Sequence, residues 1–406
     1  MELIEKKFEK LGIDNAPGQE KMQKKSPLEL RGEKLPGTAV DFSHGDVNAH
    51  IPTPGAKEAF LKGYEIGGHQ AYTEYRGSAH CRELVAERLS SFTGAGIDKD
   101  KNIILTPGTQ GALFLAVGSL VARGDKVAIV EPDYFANRKL VEFFEGELYP
   151  IQMHYYADEK SSGIDLEQLE KAFQDGVKLF LFSNPNNPTG AIYSFEEITE
   201  IAALAKKYNA TLLVDQLYSR QIFDGNEYTH LCAQKEIPEN LVTIIGPSKT
   251  ESLSGFRLGV AFGSEFIIKR MEKLQAIVSL RCAGYCQAVF ETWFREPEGF
   301  MEARIREHAR IRDDILQVIA EADGVRARKT NGGSYLFVEL PELEIPITDF
   351  VKVARELTGV VVTPGTEFGP QFTHHFRINF SQDHDAAVDA MRRLLKVAER
   401  YRKVDK

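Results

Sequence analysis

From about residue 103 the chain alternates short, wholly apolar runs with amphipathic stretches. "NIILTPG" is followed by a helix from Gln110, "KVAIVEP" by a helix after Asn137, and "VKLFLFSNP" by a third helix that leads to "TLLVD". A strand with one wet face shows a two-residue alternation of apolar and polar side chains. These runs show none, so both of their faces are covered. Fully buried strands separated by helices predict a parallel sheet with helices on both sides. The helix before "TLLVD" carries its own start signal, because Ser194 and Glu197 have the spacing of a capping box. Ile198, Ile201, Ala202 and Ala205 then line one side of it.

This pattern directs attention to strand ends, since open α/β sheets place ligands at the carboxyl edge of their strands. "LVTIIG" and "GVAFG" read as two more buried strands, and the connection between them is "GPSKTESLSGFRLG". Lys249 and Arg257 stand there among small and apolar residues, although long cationic side chains favour solvent. At two other strand ends, "SNPNNPTG" crowds Asn184, Pro185, Asn187, Pro188 and Gly190 together, and "VDQLY" places Asp215 and Tyr218. The first is equally a tight turn and Asp215 equally a helix cap. A carboxylate at the mouth of a parallel sheet can also neutralise a cationic group of a ligand.

Beyond about residue 296 the texture changes to long charged helices around "EARIREHARIRDDILQVIAEA", then "GGSYLFVEL" and "VVVTPG" as strands and a final helix "DAAVDAMRRLLKVAERYRK". This predicts a smaller α+β domain, in line with a length of 406 residues, which is long for one core. The first 37 residues, with Pro17, Pro27 and Pro36 and weak periodicity, read as an arm or edge segment. A net charge of -9 argues against a nucleic-acid partner, whose affinity would rest on a basic face. No run approaches the roughly 20 apolar residues of a membrane span, and "MELIEKKFEK" lacks the apolar core of a secretory signal, so a cytoplasmic protein is expected. Cys81, Cys232, Cys282 and Cys286 form no paired CxxC set, which disfavours a disulfide framework or a zinc ribbon. Cys282 and Cys286 are expected to share one helical face as buried thiols.

"YTEYRG", "TPGTQGAL", "SNPNNPTG", "VDQLY", "SKTESLSGFRLG" and "FRIN" occur in this order between Tyr72 and Asn379, within a likeness that covers about residues 41–380. Together they resemble the class I/II aminotransferases, the fold-type I enzymes that depend on pyridoxal 5'-phosphate. The resemblance implies an α/β fold: a large domain with a mainly parallel seven-stranded sheet, plus a smaller α+β domain. The expected division is 1–50 for the arm and part of the small domain, 51–295 for the cofactor-binding domain and 296–406 for the small domain.

Residue by residue, the resemblance makes Lys249 the lysine that holds the cofactor as an imine and then moves a proton. A base must be neutral, which desolvation and a neighbouring cation favour for any amine. Arg257 matches the arginine that clamps the phosphate with its planar fork. Gly108, Thr109 and Gln110 open a helix whose free N–H groups would cradle the same phosphate. Tyr72 matches a tyrosine that reaches the phosphate of the neighbouring subunit, which implies a homodimer. Asp215 matches the carboxylate that keeps the pyridine nitrogen protonated, so that the ring can act as an electron sink. Asn187 and Tyr218 match the partners of the ring 3′-oxygen. Tyr134 falls where an aromatic ring stacks on the cofactor, a position equally suited to the core. Arg377 matches the arginine that grips the substrate α-carboxylate, and Gly45 matches a glycine that lines the substrate side.

Two departures stand out. Many members carry a hydroxyl three residues before the lysine; here that position is Gly246, so one phosphate hydrogen bond is missing or is taken over by Ser248. After Gly45 the usual acidic and proline residues are replaced by "DVNAH". Arg281 lies near where some dicarboxylate-specific members place an arginine for the substrate side chain, and a structural role fits it equally. The function implied is an aminotransferase working by a ping-pong mechanism between an L-amino acid and a 2-oxo acid. Another pyridoxal-phosphate reaction on the same fold, a β-lyase, decarboxylase or racemase, is the alternative. No GxGxxG follows the first strand, which disfavours a nicotinamide dehydrogenase.

Overall fold

The computed structural model describes residues 2–11, 28–66, 68–223 and 225–403. Pro17 and Pro27 of the expected N-terminal arm lie outside these residues. Chain order runs from β1 (Val40–Asp41) to the seven strands of the main sheet: β2 (Ile103–Pro107), β3 (Lys126–Glu131), β4 (Glu147–Gln152), β5 (Leu179–Ser183), β6 (Thr211–Asp215), β7 (Leu241–Ile245) and β8 (Leu258–Gly263). Then follow β9 (Arg326–Ala327), β10 (Tyr335–Glu339), β11 (Val360–Val361), β12 (Thr363–Pro364) and β13 (His375–Asn379).

The main sheet has the order β2-β8-β7-β6-β5-β3-β4. Only β8 is reversed, pairing antiparallel with both β2 and β7, while the other pairs are parallel. The connection from β7 to β8 is the reason: it holds a single short 3-10 turn and no crossover helix, and a parallel return needs one. The all-apolar strands divide their residues between two faces. Phe180, Phe182, Leu212 and Val214 pack under the helices at 166–174 and 195–207, whereas Leu179, Leu181, Leu213 and Ile244 pack under those at 108–120, 135–143 and 265–278. Burying each such side chain contributes roughly 1.5–3 kcal/mol. The capping box forms as read: the Ser194 hydroxyl accepts from the Glu197 N–H, and the Glu197 carboxylate accepts from the Ser194 N–H at 2.7 Å.

A second core gathers Val40, Phe42, Ile311, Ile315, Leu336, Phe350, Phe376 and Met391. Its antiparallel sheet runs β12-β13-β10-β9, β1 pairs with β11, and helices at 300–320, 347–358 and 384–400 cover it. "VVVTPG", read as one strand, is split between β11 and β12, which pair in different sheets.

Two expectations are corrected. The N-terminal segment, read as weakly periodic, contains a helix at Glu2–Leu11 that packs against the helix at 135–143. Phe8 meets Phe143 edge-on at 6.4 Å and the Lys7 ammonium lies 4.4 Å from the same ring. Cys282 and Cys286 do not share an α-helical face. Cys282 precedes a 3-10 helix at Tyr285–Thr292, and the tighter pitch of that helix separates residues four apart. All four cysteines are free thiols. Among the described residues no cluster suits a metal ion, and no helix is long and apolar enough to cross a membrane.

Candidate active site

The carboxyl ends of β3, β5, β6 and β7 and the start of the helix at 108–120 surround a cavity of about 330 Å³. Thr109, Gln110, Tyr134, Asn187, Asp215, Tyr218, Ser248, Lys249 and Arg257 all line it, with Ser183 and Tyr335. The fold therefore brings to one place residues that are up to 226 positions apart, from Thr109 to Tyr335.

At one end, β2 runs directly into a helix whose first residue, Gly108, has φ +75° and no side-chain cap. A Cβ at Gly108 would collide with the Arg257 guanidinium, and one at Gly259 would collide with the Gly108 backbone. Glycine is required at both, because turn, strand and arginine pack without intervening side chains. The result is a set of free helix N–H groups with a cation beside them, an anion-binding arrangement. Gly246 has the same kind of cause. A Cβ there would lie 2.9 Å from Thr109 Cγ2 and 3.0 Å from the Leu258 carbonyl oxygen, so the Thr109 methyl occupies the room a side chain would need. The Ser248 hydroxyl is buried against the Leu258 carbonyl oxygen at 3.4 Å and lines the cavity.

On the floor, Asp215 ends β6. Its carboxylate accepts from the Leu217 N–H at 3.1 Å, and burial pushes its pKa up to about 6 against the pull of that N–H and of the Lys249 charge. Below it, Asp133 accepts from the N–H and hydroxyl of Ser183 and from the Tyr134 N–H, and burial still raises it to about 8. The Ser183 hydroxyl in turn accepts from the Asn187 N–H at 3.1 Å, which orients the Asn-rich turn. Tyr134 donates from its hydroxyl to Gln110 Oε1 at 3.0 Å, which holds the ring across the cavity wall.

Arg377, on β13, lies behind Asn187. It is 2% exposed, donates from Nη1 to Asn187 Oδ1 at 3.0 Å and from Nη2 to the Ser43 carbonyl oxygen at 3.1 Å, and its Nε is buried without a partner. Tyr335 and Phe368 place their rings 4.4 and 4.9 Å from its guanidinium carbon. Gly45 is two residues from Ser43 but does not line the cavity, and a Cβ there would press on Ser381 Oγ at 3.2 Å. Tyr72 is not part of the cavity either: it is 79% exposed. Arg281 donates to the Thr73 carbonyl oxygen at 2.6 Å and sits 5.2 Å from the Tyr72 ring, so within the chain it braces that segment.

Several residues that shape the site went unnoticed in the sequence, Tyr335 and Glu251 among them. Tyr335 was read only as part of a strand, although Gly332 and Gly333 before it signalled a close approach: a Cβ at Gly333 would lie 3.3 Å from Tyr218 Cγ. Glu251, two residues past Lys249, is 1% exposed and pairs with Arg220, which also holds Glu296 at 2.8 Å. Trp293 Nε1 donates to Glu251 at 3.1 Å. This buried ion cluster fastens the lysine loop to the segment just after Tyr218, and removing one partner from such a pair costs about 3–5 kcal/mol. An acidic residue within a run of small ones was its only signal.

These residues fit pyridoxal 5'-phosphate on two observations and an amino-acid carboxylate on a third. The glycine cradle at Gly108 with Arg257 suits a phosphate. Asp215 accepts only a backbone N–H and is raised by burial, as suits a carboxylate whose cationic partner is a ring N–H. The unpartnered Nε of Arg377 leaves a donor for a substrate carboxylate.

The profile of the aminotransferase class I and II family matches residues 38–394. A crystal structure of an aspartate aminotransferase from Rhodobacter sphaeroides superposes with a TM-score of 0.93 at 59% identity, covering 98% of this chain and 100% of that one. A probable aspartate aminotransferase of Methanocaldococcus jannaschii is 27% identical over 80% of this chain and 84% of its own length. Aromatic-amino-acid aminotransferase 2 of Thermococcus litoralis is 25% identical over 84% of this chain and 86% of its own. With its strand order, its cavity and a family match that spans most of its length, the chain belongs to the class I and II aminotransferases and is an aminotransferase of fold type I.

Proposed function

We propose that this aminotransferase uses pyridoxal 5'-phosphate held by Lys249, acts on an acidic L-amino acid with 2-oxoglutarate as acceptor, and works as a cytoplasmic homodimer. The observation that carries the reading is the placement of Lys249, Asp215 and Arg257 around one cavity. The acidic substrate is supported by the 59% identical structure described as an aspartate aminotransferase.

When bound, pyridoxal phosphate supplies an electron sink for charge that develops at the substrate α-carbon. Arg257 and the N–H groups at Gly108 to Gln110 bind its phosphate, and Asp215 holds a proton on its ring nitrogen. Asn187 and Tyr218 orient its 3′-oxygen. Arg377 fixes the substrate α-carboxylate, which aims the α-hydrogen, and Lys249 Nζ moves that proton. Tyr134 covers the ring and excludes water. Water would supply the oxygen of the departing 2-oxo acid while the amino group stays on the enzyme-bound cofactor, and a second 2-oxo acid would then take that amino group up and return the water.

The dimer is supported by a band of exposed apolar side chains: Tyr64, Ile66, Tyr72, Tyr75, Ile277, Val278 and Leu280 are all more than 40% exposed. Tyr72 in that band would complete the phosphate site of the second subunit. The division at residues 50 and 295 is part of the same reading, supported by Val40 and Phe42 packing with Ile311 and Phe376.

The test is spectroscopic. The purified protein with pyridoxal phosphate is expected to show a visible band that L-aspartate converts to the amine form of the cofactor, with release of oxaloacetate. A band that no amino acid discharges refutes the transferase chemistry, and an unchanged band in Lys249→Ala removes that lysine from its role.

A further inference from the structure

Tyr335 opens β10, is 5% exposed and lines the cavity. Its hydroxyl lies 2.8 Å from the Tyr218 hydroxyl, and the two rings meet edge-on at 5.4 Å. Its ring face lies 4.4 Å from the Arg377 guanidinium carbon. One side chain therefore touches the residue proposed for the cofactor's 3′-oxygen with its polar end and the residue proposed for the substrate carboxylate with its apolar face.

We propose that Tyr335 is a positioning residue for amino transfer: its hydroxyl orients and polarises Tyr218, and its ring supports Arg377 in the pose that grips the substrate carboxylate. This rests on the reading that pyridoxal phosphate occupies the cavity. A phenol has one proton to give. With Tyr335 as its acceptor, Tyr218 donates to it. Facing an anionic 3′-oxygen, Tyr218 turns its proton there and accepts from Tyr335 instead, and a hydroxyl that accepts while it donates is the stronger donor. Lys249, Arg377 and Tyr134 are the titratable groups that face this pair, with the Asn379 amide. Burial raises the Tyr335 phenol, but Lys249, Arg377 and the bonds from Tyr218 and Asn379 bring it below its ordinary value.

Tyr335→Phe removes one oxygen and keeps the ring, whereas Tyr335→Leu removes both functions. The measurements are the pH midpoint of the visible absorption of the holoenzyme and the KM for the amino acid. In Tyr335→Phe the 3′-oxygen loses part of its hydrogen bond and holds the proton of the neighbouring lysine-bound nitrogen more tightly. Its midpoint is expected to rise by about 0.3 pH unit, with KM within about twofold of the parent because the ring still supports Arg377. Tyr335→Leu is expected to raise KM by about 5- to 30-fold, from loss of the cation–π support. An unchanged midpoint in Tyr335→Phe, or a KM raised as much by Phe as by Leu, overturns the proposal. A parent protein that develops no pH-dependent visible band with pyridoxal phosphate refutes the cofactor reading itself, a result distinct from either.

Discussion

Truncating Arg377 separates the two ends of the site most sharply. Arg377→Ala deletes a guanidinium that is 2% exposed and leaves the Asn187 side-chain oxygen and the Ser43 carbonyl oxygen without their donors. A carboxylate brought into that pocket then meets no cation, and truncating one partner of a buried charge pair costs about 2–5 kcal/mol. At about 1.4 kcal/mol per factor of ten, kcat/KM for an amino acid is expected to fall between about 30-fold and several thousand-fold. Tyr134→Phe keeps the ring and loses only the 3.0 Å bond to Gln110, worth about 0.5–1.5 kcal/mol, so it should cost no more than about tenfold. Stability also falls in Arg377→Ala, so each variant is compared at a temperature where it is folded by circular dichroism. The assay is kcat/KM for L-aspartate beside that for an amine lacking the α-carboxylate. Arg377→Ala should depress the first and leave the second nearly unchanged. Equal losses on both, or a larger loss from Tyr134→Phe, refute the assignment of Arg377 to the carboxylate.

Gly246→Ser tests why this chain lacks a hydroxyl before the lysine. Its Cβ would lie 2.9 Å from Thr109 Cγ2, so it should destabilise by about 1–3 kcal/mol, and Thr109→Ser, which removes that methyl, should recover part of the loss in the double variant; a Gly246→Ser protein as stable as the parent in urea unfolding contradicts this. His44→Ala probes the pair with Asp41. The bond that the His44 ring donates to the Asp41 carboxylate raises His44 to about 9, above its ordinary 6.5, so the pair contributes fully below pH 6.5 and is lost as pH rises through 9. The His44 side chain is 60% exposed, so solvent screening limits the difference from the parent to about 0.5–1 kcal/mol at pH 6, vanishing near pH 10. A difference that does not change with pH would show that His44 acts by packing alone.

The parts of this molecule that were legible in its sequence are those decided locally. Wholly apolar strands, the Ser194 capping box and the residues at strand ends depend on neighbours a few positions away, so Asp215, Asn187 and Lys249 could be placed at one edge before their contacts were known. Tyr335 could not, because its position depends on long-range register. It pairs with Asn379 across β10 and β13 and approaches Tyr218 over a glycine. Glu251 was hidden for the same reason, since its partners Arg220 and Trp293 come from two distant segments. The N-terminal helix was missed because a ten-residue helix is marginal alone, and what holds it is its packing on Phe143.

The charge of the whole chain and that of the site have opposite signs, and the fold explains how both can hold. The net charge is -9, yet the cavity and the residue behind it bring together Lys249, Arg257 and Arg377 against the single carboxylate of Asp215 at its floor, with His44 raised to about 9 within reach of the Lys249 charge. Acidic residues are spread over solvent-exposed helix faces, where water and salt screen them within about 10 Å. Lys249 and Arg257 sit at strand ends lining a cleft with low-dielectric walls, with Arg377 of β13 behind it, and such walls focus their field outward along the opening. A phosphate and a carboxylate entering together match that excess of positive charge, whereas a neutral amine does not. The same sheet geometry that collects the site residues therefore also selects for anionic ligands in a protein that repels them elsewhere.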